Sequence, residues 1–337
     1  LFQAEMEVVG YPYVGEIGRQ EHFLTVLGAR KEATFYPATV AAGALGNGVD
    51  GHLLFVGIRG LQGFAAPYLA QAAQVHVQAS WVGVDFPSVC HTHNILAFEL
   101  AQLLDEDRIA AEFAQVLCKA VSGRARHTLD VRVALPPVVG VDHSQEIMAR
   151  LREACGLPCF ELFSAPPSLL GFRLQRALDR ALERHGVRLI HGTVEWNIVK
   201  AGRITEVVAR DKDIQYIFRP QAVVLSSGKF IGGGLVHEDC LREAIFDLPL
   251  WVQGRRVDDA TPQALSSPYY GDAQPFMAVG VRVDECLRPV GIEGRAIYAN
   301  LWAAGAILQD QDYTAGCGGL GEALVQGYRV GRLVSAG

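Results

Sequence analysis

Val223-Val224-Leu225-Ser226-Ser227-Gly228 is an apolar run of strand length that stops at two serines and a glycine, and Gly232-Gly233-Gly234 follows it closely. A strand that ends in small residues lets the phosphates or ribose of a ligand approach the main chain with no Cβ in the way. Downstream, Asn300-Leu301-Trp302-Ala303-Ala304-Gly305 repeats the pattern of a buried strand halting at small residues. Next, Ala315-Gly316-Cys317-Gly318-Gly319-Leu320-Gly321 opens a final helix, expected from about Leu320 to Val334. The first amides of a helix are unpaired donors at the positive end of its dipole, where the electron-rich edge of a reduced ring is stabilised. Taken singly, each segment reads equally well as a turn or an ordinary glycine-rich loop.

Upstream, Ser168 caps a helix on which Leu170, Leu174, Ala177, Leu178, Ala181 and Leu182 recur at helical spacing, and Gly186 stops it. Val187–His191 then reads as a strand, followed by a meander over Thr193–Lys200, Arg203–Arg210 and Ile214–Phe218 that turns at Ala201-Gly202. The series of helix, meander, strand ending in SSG, strand ending in AAG and GCGG-led helix gives the fold class. It resembles the carboxy-terminal half of a two-dinucleotide-binding-domain flavoprotein, which implies an α/β fold, half of a Rossmann-like flavin-binding domain with its β-meander. The βαβ unit with GxGxxG that such a domain places first does not occur here, and the chain opens Leu1-Phe2-Gln3, as a fragment does.

Between residues 51 and 165, strands expected at His52–Ile58, Ser80–Phe86, Val131–Val139 and Pro158–Phe163 alternate with helices at Phe64–Val75, Ile95–Val121 and His143–Cys155. That rhythm predicts a second, parallel α/β domain. The Pro166-Pro167 pair marks the expected boundary, so the chain divides into a linking remnant with short strands at 1–50, an α/β domain at 51–165, and the flavin-binding half at 166–337. Gly57-Ile58-Arg59-Gly60-Leu61-Gln62-Gly63, with Asp85 at the end of the next strand, imitates a dinucleotide site. Its spacing is GxxGxxG, which fits a strand-to-helix turn better.

The 36 glycines of 337 residues exceed the roughly 7% of average usage, in clusters that suit tight turns and close backbone approach. A net charge of −6 with no dense Lys/Arg run excludes a nucleic-acid surface. Seven scattered cysteines without a CxxC favour neither a disulfide framework nor a zinc site, and fit a cytoplasmic setting. No apolar run approaches the roughly 18 residues that span a bilayer, so membrane association would run through a partner. His91 and His93 are metal ligands by type, yet no second cluster completes a site. Arg173 and Arg288 are the cations to watch for a small anionic substrate, with local salt bridges as the competing reading.

Leu54-Phe55-Val56-Gly57-Ile58-Arg59-Gly60-Leu61, Pro166-Pro167-Ser168-Leu169-Leu170-Gly171-Phe172-Arg173-Leu174-Gln175 and Ser227-Gly228-Lys229-Phe230-Ile231-Gly232-Gly233-Gly234-Leu235-Val236 together resemble the B subunit of anaerobic glycerol-3-phosphate dehydrogenase. Asp284-Glu285-Cys286-Leu287-Arg288-Pro289 and Gly316-Cys317-Gly318-Gly319 add to the likeness, which runs from about residue 50 to the end. The resemblance implies a flavoprotein subunit of anaerobic glycerol metabolism, binding FMN or FAD. Its complex would oxidise sn-glycerol 3-phosphate to dihydroxyacetone phosphate and pass electrons to quinone. The implied partners are a larger FAD-containing catalytic subunit and an iron–sulfur subunit that anchors the pair peripherally to the inner membrane. Expected flavin contacts are Ser227, Gly228, Gly233, Gly234, Gly305, Gly316, Cys317, Gly318 and Gly319. No general base stands out, since Glu322, the nearest carboxylate, suits the helix dipole. A fumarate-reductase-like flavin enzyme and a scaffold that has lost its flavin are the alternatives.

Overall fold

His52–Ile58, here β1, shows why the first half of the chain folds as it does. Leu54, Val56 and Ile58 point into one apolar cluster with Leu100, Leu104, Phe113, Leu117 and Met148. Leu53 and Phe55 point the other way, against Ala66, Leu69 and Ala73. A strand apolar on both sides needs helices on both sides, the arrangement of a parallel sheet. β1 accordingly lies parallel between β2 (Gln78–Val84) and β3 (Val131–Leu135), and β4 (Cys159–Glu161) completes the order β2-β1-β3-β4. The crossovers are α1 (Ala66–Ala73), α2 (Ala97–Leu104) with α3 (Asp107–Ala125), and α4 (Ser144–Cys155).

The computed structural model describes residues 1–46, 51–86, 94–125, 130–269, 272–312 and 319–335. The chain forms two compact units, Leu1–Leu189 and Ile190–Gly337. The division falls after α5 (Leu169–Arg184) and not at Pro166-Pro167. Leu174, Ala177 and Ala181 of α5 pack on Met6, Val9 and Tyr11, Leu170 joins Phe23 and Val40, and Leu169 meets Ala101 and Val141. These contacts fasten the helix, and with it the segment before residue 47, to the first unit. That early segment holds a helix, Phe2–Val8, and two antiparallel strand pairs, Tyr13–Gly15 with Phe35–Pro37 and Glu21–Leu24 with Arg30–Ala33. Ser168 caps α5 by accepting from the Gly171 amide at 3.0 Å.

The second unit opens with the meander, β5 (Thr193–Lys200), β6 (Arg203–Asp211) and β7 (Ile214–Phe218), antiparallel in the order β7-β6-β5. Ala201 and Gly202 both take positive φ at its first turn, as a tight hairpin requires. Val187–His191, read from sequence as a strand, is not one: Val187 and Leu189 stay exposed and the chain passes irregularly into β5. β8 (Val223–Leu225) and β9 (Leu301–Ala303) then pair in parallel. Between them the chain builds small antiparallel ribbons around Leu235–Glu243, Leu250–Arg256 and Gly280–Val281, none of them legible as strands beforehand. One apolar cluster joins these parts, with Ile204, Leu225, Leu250, Val281, Leu301 and Ile307 at its centre. The closing helix α6 (Gly319–Ser335) buries Val330. Leu320, Ala323, Leu324, Gly327, Val330 and Gly331 recur along one side of this helix; there Leu320 is 74% exposed and no atom lies within 4 Å of a Cβ built at Gly327 or Gly331.

Candidate functional site

β8 and β9 run side by side with Val223 opposite Leu301, Val224 opposite Trp302 and Leu225 opposite Ala303. The Ala304 amide extends the ladder by one bond, to the Leu225 carbonyl at 3.0 Å. Both strands therefore stop at one level, and Ser226-Ser227-Gly228 and Ala304-Gly305 stand together at the carboxyl edge of the pair. That edge is where open parallel sheets take their ligands. Asn300 holds the arrangement from behind. Its Oδ1 accepts from the Ile204 amide and its Nδ2 donates to the Ile204 carbonyl, each at 2.9 Å, which joins the meander to β9.

The glycines of the loop divide into two kinds. Gly228, Gly233 and Gly305 have φ of +72°, +76° and +82°, a region that side-chain-bearing residues avoid. Next to Gly233 and Gly305 the space a Cβ would take is open, and at Gly228 the nearest atom is 3.8 Å away. Main chain is thus presented outward at three places. Gly234, also expected to meet a ligand, differs in its surroundings. A Cβ there would lie 2.1 Å from the Gly228 carbonyl oxygen and 2.4 Å from Ser227 Oγ, so its bareness serves the loop's own packing. Gly232 is likewise pressed against Ser227. Ser227 Oγ is buried without a hydrogen-bond partner, a polar atom that a ligand could satisfy. The Gly305 amide donates to Gln326 Oε1 of α6 at 2.7 Å, which couples the second strand end to the helix. Gly319 is the exposed first residue of α6. Gly316, Cys317 and Gly318 lie outside the described residues, as do His91 and His93.

Lys229 was missed by sequence reasoning, although a lone cation in the run SGKFIGGG is a visible signal. Its side chain is 3% exposed, and Nζ donates to the Met277 carbonyl at 2.6 Å. Burial pushes its ammonium down to about 8, against the pull of Asp312 and Asp310. Beyond the loop lies a cavity of about 400 Å³ with a mainly apolar lining that includes Phe230, Leu265, Phe276 and Met277.

Arg173, expected to face a substrate, requires a correction. It is buried in the first unit, bidentate to Glu161 at 2.7 and 3.0 Å, and it donates also to the carbonyls of Gly140 and Val139. The Tyr11 hydroxyl donates to the Leu170 carbonyl at 3.3 Å, and burial raises that phenol well above its ordinary range. A buried guanidinium with four of its five donors so engaged is committed to the fold. Arg288 belongs to the other unit and pairs with Asp284 across a tight turn, at 2.8 and 2.9 Å. Burial alone would raise the Asp284 carboxyl; bonds from the Arg288 amide and guanidinium bring it below its usual value. The buried carboxylates are committed too. Glu161 accepts from Arg173 and the Val139 amide, and Glu243 accepts from the amides of Ile245 and Phe246.

Outward-facing main chain at Gly228, Gly233 and Gly305, an unsatisfied hydroxyl at Ser227 and a nearby helix start suit a cofactor that carries both a diphosphate or ribityl chain and a ring. The FAD binding domain family matches residues 5–321, and the chain belongs to it. It is a flavoprotein of the oxidoreductase class. The probable B subunit of anaerobic glycerol-3-phosphate dehydrogenase from Halobacterium salinarum strain R1 is 31% identical over 319 residues, 90% of this chain and 71% of that protein. The B subunit of anaerobic glycerol-3-phosphate dehydrogenase from Pectobacterium atrosepticum is 31% identical over 228 residues, 66% of this chain and 50% of that one. Its counterpart from Pasteurella multocida is 28% identical over 264 residues, 75% of this chain and 59% of the other. The chain thus spans between half and about seven tenths of these relatives' lengths. A solved thioredoxin reductase of T. acidophilum matches with a TM-score of 0.11 and 10% identity over 94% of this chain and 73% of that one, too slight a likeness to carry any argument. Among the described residues no helix is long and apolar enough to cross a membrane, and no cluster of His, Cys, Asp and Glu could hold a metal.

Proposed function

We propose that this chain is the flavoprotein subunit of a complex that oxidises sn-glycerol 3-phosphate to dihydroxyacetone phosphate and hands the electrons to quinone. The observation that carries the proposal is the pair of strand ends at Ser227-Gly228 and Gly305, set at one level with their main chain open, in a chain 31% identical to a protein named as a probable B subunit of anaerobic glycerol-3-phosphate dehydrogenase. When bound, the flavin supplies two-electron chemistry. The residues that would hold it are the main chain of Gly228, Gly233 and Gly305, the Ser227 hydroxyl, the start of α6 at Gly319 and, on the sequence pattern alone, Gly316, Cys317 and Gly318. A base for an alcohol proton should be a His or carboxylate poised near neutral pH at the flavin. The buried carboxylates Glu161 and Glu243 are already occupied by donors, so this reading gives proton abstraction to a larger FAD-containing partner. The present chain keeps a role in electron relay and assembly. An iron–sulfur partner would hold the complex to the cytoplasmic face of the inner membrane.

The test is co-expression of the complete gene product with the larger subunit, followed by flavin analysis and dye-linked assay. The expected result is a yellow protein, with glycerol 3-phosphate oxidation that neither subunit shows well alone. A colourless product that gains no absorbance with FAD or FMN would leave it a scaffold. Full turnover by this chain alone would overturn the division of labour.

A further inference from the structure

Lys229 stands between Gly228 and the turn that Gly233 and Gly234 close, and it is bonded at both ends. Its carbonyl accepts from the Gly234 amide at 3.0 Å, while its ammonium reaches the Met277 carbonyl at 2.6 Å. The groups facing that ammonium are fixed in turn. Asp310 donates its amide to the Ala278 carbonyl at 2.7 Å and accepts the Gln253 amide at 2.8 Å on Oδ1, and Asp312 adds a second negative charge to the same segment. Burying an ammonium costs free energy that an apolar side chain of equal length would not. The position also follows directly on the left-handed Gly228, whose main chain faces outward. A charge kept under those conditions is explained by what it holds in place.

We propose that Lys229 is a positioning residue of the flavin site, its ammonium fastening the Gly228–Gly234 loop to the Met277 carbonyl so that the loop's main chain is preset to meet the cofactor. This rests on the flavin reading above. The lysine touches neither substrate nor reacting atoms in this role; it acts through the loop. Removing the charge frees the loop, and each binding event must then order it at the expense of affinity.

FAD is titrated by fluorescence quenching into the complete gene product as wild type, Lys229→Met and Lys229→Arg, from pH 6.5 to 9.5. Lys229→Met should raise the Kd at least tenfold, and Lys229→Arg should recover most of the loss. Wild-type affinity should fall as the pH passes about 8, where Lys229 gives up its proton, whereas the arginine variant should stay level. Amide exchange at Gly233 and Gly234 without flavin should show lower protection in Lys229→Met. A yellow wild type whose methionine variant binds FAD within twofold would overturn the inference and leave the flavin reading standing. So would a pH profile that the arginine variant reproduces, a result that does not depend on the methionine variant folding. A wild type that binds no flavin at any pH would remove the flavin reading and the inference together.

Discussion

The molecule holds two parallel sheets that treat the same sequence signal differently. In the first unit, β1 carries Gly57 near its end, and a Cβ there would stand 3.1 Å from Ala66 Cβ. That glycine exists so that α1 can close on the sheet, and both faces of the strand are covered. In the second unit, β8 runs out to Gly228 beside open space, its pair is two strands wide, and Val224 on it is 45% exposed. An apolar strand with glycine at its end is therefore ambiguous as a motif. What separates the covered glycine from the open one is the occupant of the missing Cβ's space, a tertiary fact that no spacing rule contains.

The comparison can be broken most severely at the covered sheet. Arg173→Leu would strand Glu161 as a buried, uncompensated charge and should cost the first unit about 3–5 kcal/mol, read from urea denaturation of that transition. A loss under about 1 kcal/mol would mean the pair is not buried in solution. In the open sheet, Gly234→Ala forces a methyl group into the Gly228 carbonyl and should cost about 1–3 kcal/mol and weaken flavin binding. The first unit should melt unchanged in that variant, since the lesion is confined to the other unit. A subtler probe is pH. The Lys229 pKa in the folded chain, about 8, lies below its ordinary value, so between the two the unfolded chain binds more protons. Stability should then rise with pH from about 8 to 10.5 relative to Lys229→Met; parallel curves for the two proteins would show that the ammonium is solvated. The smallest effect is expected at the exposed face of α6, where Leu320→Gln should shift stability by no more than about 0.5 kcal/mol.

Much of this is legible in the sequence, for identifiable reasons. The first sheet announces itself because Leu53-Leu54-Phe55-Val56 is apolar on both faces and the crossover helices have regular spacing. The meander shows because Ala201-Gly202 can turn nowhere but tightly. Sequence alone cannot tell Gly233 from Gly234, adjacent residues of which one has open space beside it and the other is packed against its own loop. Nor can it foresee that Arg173 is consumed by Glu161, since the pairing depends on α5 docking against the first sheet. The ribbons between Leu235 and Val281 are built from strands two to three residues long, too short for any period to register. The apolar stripe of α6 is a real pattern, but its burial depends on a neighbour the described residues do not provide.

Asn300 offers a last consequence. By accepting from the Ile204 amide and donating to the Ile204 carbonyl, its side chain counterfeits a peptide group and supplies a rung of ladder where no strand runs. Very few residue types can forge that rung. Aspartate has no donor and would repel the carbonyl, leucine would orphan both backbone groups, and glutamine carries the amide one methylene too far. Drift at this position is thus constrained more tightly than at the hydrophobic sites around it, which accept Ile, Leu or Met with repacking. Across diverged relatives, the column that contains Asn300 should remain asparagine long after its apolar neighbours have exchanged identities.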